Sequence, residues 1–374
     1  MAASAIVSPR TFSDALRRDR RLRARDLGIA PGIFSPGPVN AITDVAGVMV
    51  GHFTLRDGDN VRTGVTTILP HSGNIFRDKV AAAVYVANGF GKLIGSTQIE
   101  ELGVIESPVV LTNTLSVWRA SEALAEFVLN QRGNEDVHSV NVIVGETNDG
   151  ILNDIRGMHV QKSHVMEAIA NARSGFVPEG CVGAGTGTIA FGFKAGIGTS
   201  SRLVPIGTQQ YSVGVLVQSN FGGVLTIDGL QIGKELSRHI LSGDNGDGSV
   251  MIIVATDAPL DARQLKRIAM RTMLGVSRTG SPITNGSGDY AVAFSVSSNR
   301  TPSGFRHPCS TMFADDKMTP LFQATVEATE EAIYNSLFMA KTTKGMNGTR
   351  VEALSLGTVR DIMEKYRYKF CDSK

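Results

Sequence analysis

The strongest constraint on the fold is a set of short runs that are apolar at every position. Val250-Met251-Ile252-Ile253-Val254-Ala255 is the clearest of them. A strand with one wet face alternates apolar and polar residues, so an uninterrupted run of strand length must be covered on both faces. Comparable β-branched or small-apolar runs, each bounded by Gly, Asn or Asp, predict strands over 81–86, 108–112, 140–144, 211–218, 249–255 and 289–295. Helical periodicity falls between them, over 116–129, 163–172, 260–274 and 319–340. Ser163 is a candidate N-cap, Thr319-Pro320 a helix start, and Phe322, Val326, Ile333 and Leu337 one apolar stripe. Alternating helices and doubly covered strands predict a layered α/β sandwich.

Other classes are excluded by charge and composition. The chain has 37 Lys+Arg against 35 Asp+Glu, a net +2, which lacks the unpaired positive field of a nucleic-acid or polybasic membrane binder. No apolar run approaches the ~20 residues that cross a bilayer. Cys181, Cys309 and Cys371 are odd in number and far apart, which speaks against a disulfide framework and for a reducing, cytoplasmic location. No secretory signal is visible at the N-terminus. Six arginines lie between Arg17 and Arg25, in an N-terminal arm spanning 1–30. They read as a solvated or subunit-packing helix in preference to an anion-binding arm. The 41 glycines are spread through short turns and no linker divides the sequence, so 1–374 reads as a single domain.

Several motifs fail on spacing. Gly183-Ala184-Gly185-Thr186-Gly187 is GxGxG, without a Walker Lys-Ser pair, and reads as a structural loop. Asp244-Asn245-Gly246-Asp247-Gly248 has no carboxylate at the twelfth position of a calcium loop. The histidines at 52, 71, 138, 159, 164, 239 and 307 form no HExxH pair and read as loop or surface residues. No GxSxG elbow occurs. Neither a metal nor an organic cofactor is expected.

What remains is the glycine-rich segment 242–249, which runs directly into the apolar strand at Gly248-Ser249. It has two readings: a plain hairpin loop, or a self-cleavage site. In the second, Gly248 tolerates backbone strain at the scissile carbonyl and the Ser249 hydroxyl attacks it. Cleavage frees an N-terminal serine whose α-amine, with an ordinary pKa of ~7.7, can accept the proton of its own hydroxyl. Such a hydrolase needs no histidine.

Six segments, in order, carry a resemblance to a known family. They are Gly37-Pro38-Val39-Asn40-Ala41-Ile42-Thr43-Asp44-Val45-Ala46-Gly47-Val48, Arg62-Thr63-Gly64-Val65-Thr66, Val144-Gly145-Glu146-Thr147-Asn148-Asp149-Gly150, the Gly183–Gly187 turn, Val217-Gln218-Ser219-Asn220-Phe221-Gly222, and Gly248-Ser249. Together they resemble the P1 (S58) peptidases, the family of L-aminopeptidase/D-Ala-esterase/amidase and the β-peptidyl aminopeptidases. The resemblance implies a four-layer αββα sandwich similar to the N-terminal-nucleophile hydrolases but with different connectivity. It implies scission between Gly248 and Ser249 into chains 1–248 and 249–374, and a homotetramer of the resulting pairs. Ser249 is then nucleophile and new N-terminus, Ser287 and Asp289 its hydroxyl and carboxylate partners, Asn220 the oxyanion donor, and Glu146 the binder of a substrate's free ammonium group. The substrate is a peptide, amide or ester with a free N-terminal amine. Two alternatives share this architecture: an acyltransferase similar to the ornithine acetyltransferases, which use threonine, and a non-catalytic oligomeric binding protein.

Overall fold

The computed structural model describes residues 21–238, 248–297 and 313–371, the last five by backbone alone. In chain order the elements are β1 (Met49–Asp57), β2 (Val61–Leu69), β3 (Val80–Gly89), β4 (Leu93–Ile94), α1 (Ser96–Leu102), β5 (Val104–Ile105), β6 (Val109–Asn113), α2 (Val117–Leu129), β7 (Ile143–Thr147) and α3 (Lys162–Ala170). They continue with β8 (Ile189–Ala190), β9 (Phe193–Lys194), β10 (Ile197–Ile206), β11 (Gln209–Asn220), α4 (Ile232–Glu235), β12 (Ser249–Thr256), α5 (Ala262–Arg278), β13 (Gly288–Ser295), α6 (Thr319–Phe338), β14 (Thr343–Lys344), β15 (Arg350–Val351) and α7 (Leu356–Cys371).

Two sheets stack face to face, one ordered β1-β2-β6-β7-β4 and the other β10-β11-β12-β13-β3-β5. Within them β6/β7 and β12/β13 are parallel and the remaining neighbours antiparallel. Strand β12 shows why its sequence has no polar face. Val250, Ile252 and Val254 pack into a core with α5 and α6, while Met251, Ile253 and Ala255 join Ile68, Leu111 and Ile143 between the sheets. On the far side, Val65, Val110 and Val144 of the first sheet meet Ala120 and Leu124 of α2 and Val165 and Ala168 of α3. The result is helix, sheet, sheet, helix: the expected αββα sandwich.

All six predicted strands form, although 140–144 moves forward to Ile143–Thr147. Strands β1, β2 and β10 escape a search for apolar runs because glycine and small polar residues occupy their buried positions. A Cβ on Gly51 would lie 2.0 Å from the Ala168 carbonyl oxygen in α3, and one on Gly198 would lie 1.9 Å from that of Ala332 in α6. Both helices rest directly on strand backbone, which only glycine permits. Ser163 is not the N-cap of α3; the helix starts at Lys162, and His164 Nδ1 accepts the Gln161 N–H at 3.1 Å.

Two expectations are corrected together. Helix α6 is buried around almost its whole circumference, including Glu327 and Glu331 at 0% exposure, so a single stripe understates it. The described part of the N-terminal arm is the cover. It is not a solvated helix: Arg21 donates to the Phe338 carbonyl at 2.5 Å, Arg23 pairs with Glu179 at 2.7 Å, and Arg25 pairs with Glu331 at 3.0 Å. Arg202, fully buried in β10, pairs with Glu331 at 2.8 Å and with Glu327 at 3.3 Å. Glu327 also accepts the N–H groups of Ile33 and Phe34, at 3.0 and 3.1 Å. Buried carboxylates need such partners; Arg25 of the arm, Arg202 of β10 and the Ile33 and Phe34 amides just beyond the arm supply them.

Candidate active site

One end of the sandwich collects the termini of four strands. Ser249 opens β12, opposite Asn220 at the end of antiparallel β11 and Gly288 at the start of parallel β13. Glu146 and Thr147 end β7 of the facing sheet. Register within the second sheet and the stacking of the first sheet on it therefore bring to Ser249 residues 29 to 103 positions away in sequence.

Ser249 is 4% exposed, and its Oγ accepts the Asn148 N–H and the Asn220 Nδ2–H, both at 3.4 Å. The Asn220 amide has one orientation, because its Oδ1 accepts the Ile189 N–H at 3.1 Å and this turns the NH2 group toward the serine. Lys194, 0% exposed, fixes the neighbouring chain by donating to the carbonyls of Gly185, Thr188 and Ala195 at 3.1, 2.8 and 2.6 Å. Gln218 binds the two sheets beneath the site, donating to the Thr112 and Ala184 carbonyls and to Thr147 Oγ1 at 3.1, 3.0 and 2.8 Å. The glycine-rich turn is thus a buried structural loop that props the Asn220 region.

Gly248 owes its identity to space and not to strained backbone. It is not among the positive-φ residues, but a Cβ there would lie 2.7 Å from Phe221 Cα. Its carbonyl oxygen accepts the Gly288 N–H at 3.2 Å, which polarises the bond preceding Ser249.

The Ser287 hydroxyl donates to Asp289 Oδ1 at 2.8 Å, leaving its own lone pairs free to accept. Asp289 Oδ2 is buried with no hydrogen-bond partner among the described residues. Burial pushes the Asp289 carboxyl up to about 6, partly offset by the Ser287 hydrogen bond. Asn88 clasps the preceding turn through the carbonyls of Thr284, Asn285 and Ser287. The β3/β13 register shifts beside this point, between Asp289 and Tyr290, as β-bulges often do near reactive centres.

Glu146 is 3% exposed and is not a surface carboxylate. Its Oε1 accepts the Lys92 N–H at 3.0 Å and lies 3.5 Å from Lys92 Nζ, and its Oε2 accepts the Thr114 hydroxyl. The point where a Gly91 Cβ would sit is 3.2 Å from both Glu146 Oε1 and Gly288 Cα. A glycine at 91 therefore keeps a side chain out of the tight gap between the Glu146 carboxylate, the Tyr290 ring and the start of β13. Ile151, after the Asn-Asp-Gly turn, is 60% exposed.

The sequence reading missed Lys92, Thr114 and the N–H groups of Asn148 and Gly288. Backbone donors leave no side-chain signature. Among the histidines, His52 is corrected: it lies within β1, opposite Thr66, whose Oγ1 is 2.9 Å from Nδ1, and burial lowers its pKa to about 4. His159 meets Asp154 at 3.0 Å and His164 stacks on Phe53. No cluster able to hold a metal occurs among the described residues, and none of their helices is long and apolar enough to cross a membrane. His239, His307, Cys309 and 244–247 of the calcium-like segment lie outside the described residues.

The chain was compared with known families and structures. The model of Peptidase family S58 matches residues 40–351. The chain is similar to the beta-peptidyl aminopeptidase BapA of Sphingosinicella microcystinivorans, with 41% identity over 92% of each protein. Among solved structures, a protein of Pyrococcus horikoshii superposes with a TM-score of 0.86 and 48% identity, covering 92% of this chain and 99% of that one. The L-aminopeptidase D-Ala-esterase/amidase of Ochrobactrum anthropi, described as a variant of the Ntn hydrolase fold, gives 0.84 and 35% over 92% and 98%.

Proposed function

The chain belongs to peptidase family S58 and is a hydrolase of the aminopeptidase type, and from that membership we propose that it activates itself by cutting before Ser249 and then works through an acyl-enzyme on that serine. The observation that carries the reading is the Ser249 hydroxyl, held between two N–H donors at a loop-to-strand junction.

In self-cleavage, Ser249 Oγ attacks the Gly248 carbonyl carbon, with the carbonyl oxygen on the Gly288 N–H. The Gly248–Ser249 C–N bond breaks and leaves an ester on the serine and a free amine. Water then hydrolyses the ester. Turnover repeats this chemistry on a substrate. Ser249 takes the acyl group of the N-terminal residue, the leaving amine takes a proton, and water releases the residue. The free α-amine of Ser249 takes the hydroxyl proton and later returns it to the leaving amine, while Ser287, its own hydroxyl donating to Asp289, accepts a hydrogen bond from the serine and relays that proton. Asp289 Oδ2 accepts from the new terminal ammonium. Asn220 stabilises the tetrahedral oxyanion, and Glu146 holds the substrate's ammonium group. The likeness to a beta-peptidyl aminopeptidase supports substrates whose free amine sits one carbon beyond the α-position. The working form is a tetramer of 1–248/249–374 pairs.

A denaturing gel with intact mass tests the first step: purified protein separates into chains 1–248 and 249–374, and one stable chain in active material defeats the proposal. Asn220→Ala is expected to lower kcat on an aminoacyl anilide by about 10²–10³, with a smaller change in KM. Equal losses in binding of a non-reactive substrate analogue contradict the oxyanion role.

The pH behaviour follows from Asp289. Its carboxyl is pushed up to about 6 in the folded chain from 3.8, so ionisation favours the unfolded state. Its contribution to stability therefore falls as pH rises from about 4 to about 6. The rate of self-cleavage moves the other way and rises through about pH 6, because the ionised form draws the Ser287 proton. Asp289→Asn is expected to abolish that step in the rate profile, measured from the precursor by pH jump.

A further inference from the structure

The carboxylate that holds the substrate's amine already has a cation beside it. Lys92 Nζ is 3.5 Å from Glu146 Oε1, and the Lys92 side chain is 36% exposed against 4% for Glu146. The pair is thus open on its lysine side and closed on its glutamate side. Its formal charge is zero. An ammonium ligand with no other charge gains Glu146 but meets Lys92 as a like charge, a poor match in a partly desolvated place. A ligand carrying an ammonium and a carboxylate close together matches both partners: ammonium to Glu146, carboxylate to Lys92.

We propose that the Lys92–Glu146 pair selects substrates whose N-terminal residue carries a carboxylate on the carbon that bears the free amine, which for a β-linked residue is a β-aspartyl (isoaspartyl) peptide. This rests on the aminopeptidase reading above. In a β-aspartyl residue both charges sit on one carbon and face the pair as a unit. The remaining CH2 and acyl carbon lead from the pair toward Ser249, which lies opposite Gly288 at the start of β13. Ser249 Oγ attacks the β-carbonyl, the bond to the next residue's nitrogen breaks, that amine leaves with a proton, and water frees aspartate from the serine ester.

The test compares β-aspartyl and β-alanyl p-nitroanilides, which differ only in the carboxylate, on processed wild type, Lys92→Met and Lys92→Arg. The wild type is expected to favour β-aspartyl by at least about tenfold in kcat/KM, Lys92→Met to bring the ratio to one or below, and Lys92→Arg to restore much of it. A wild type that treats the two alike or prefers β-alanyl, or a Lys92→Met protein that keeps the preference, overturns the proposal. A second readout does not depend on turnover: L-aspartate, and not β-alanine, raises the thermal midpoint of the wild type, and the shift is lost in Lys92→Met. If neither anilide is cleaved while that shift holds, the aminopeptidase reading falls and the recognition pair stands. If both are cleaved without preference and no shift occurs, the reverse is true.

Discussion

Ser249→Ala is expected to accumulate as one unbroken 374-residue chain with no measurable turnover. In the proposed mechanism the same oxygen serves both reactions, so its removal costs self-cleavage and hydrolysis together. A loss of ~10⁴-fold or more is the scale for removing a nucleophile that works as part of a unit. The fold should survive, since Ser249 has a small side chain and the β12 ladder to β11 and β13 is backbone. Far-UV circular dichroism and thermal midpoint close to those of the precursor distinguish lost chemistry from lost structure. Ser249→Cys adds a second check: a thiol can attack the Gly248 carbonyl, so processing should continue, though at a different rate. Full processing of the alanine variant would remove self-cleavage from consideration.

Arg202→Met is expected to be among the most destabilising single changes. It leaves Glu327 and Glu331, both fully buried, without the guanidinium that sits between them. Breaking one side of a buried ion pair typically costs about 3–5 kcal/mol. In a chain of 374 residues that is a fall of about 4–6 °C in Tm. The cost is largely that of stranded carboxylates, so Arg202→Met/Glu331→Gln should lose less than the two single variants added together. Simple additivity in denaturant titrations would show that the charges do not act as one network.

Strands buried on both faces were legible because burial dictates composition: β12 and β13 are buried throughout and apolar over 250–255 and 290–294. The strands that glycine and hydroxyl residues build were not, since Gly51 and Gly198 are chosen by the helix lying on them, a long-range fact invisible locally. The same holds for Glu327 and Glu331. On a helical wheel they mark a wet face, and the N-terminal segment through Phe34 together with Arg202 of β10 makes that face an interior. At the candidate site the side chains Ser249, Asn220, Ser287, Asp289 and Glu146 could be picked out through family resemblance, and register then places them at one end of the sandwich. Composition could not reveal the Asn148 and Gly288 N–H groups, because every residue but proline has one.

The second sheet has a consequence for the proposed scission at Gly248. Its order interleaves the two products: β10 and β11 come from 1–248, β12 and β13 from 249–374, and β3 and β5 from 1–248 again. Neither product of that proposed cut can leave without tearing a ladder on each side of β12-β13, so scission is expected not to dissociate the molecule. Melting does. A precursor renatures as a single body, whereas the nicked form must find its other half in solution. Its recovery after denaturation should therefore depend on dilution, and heating and cooling curves should show hysteresis that the precursor lacks.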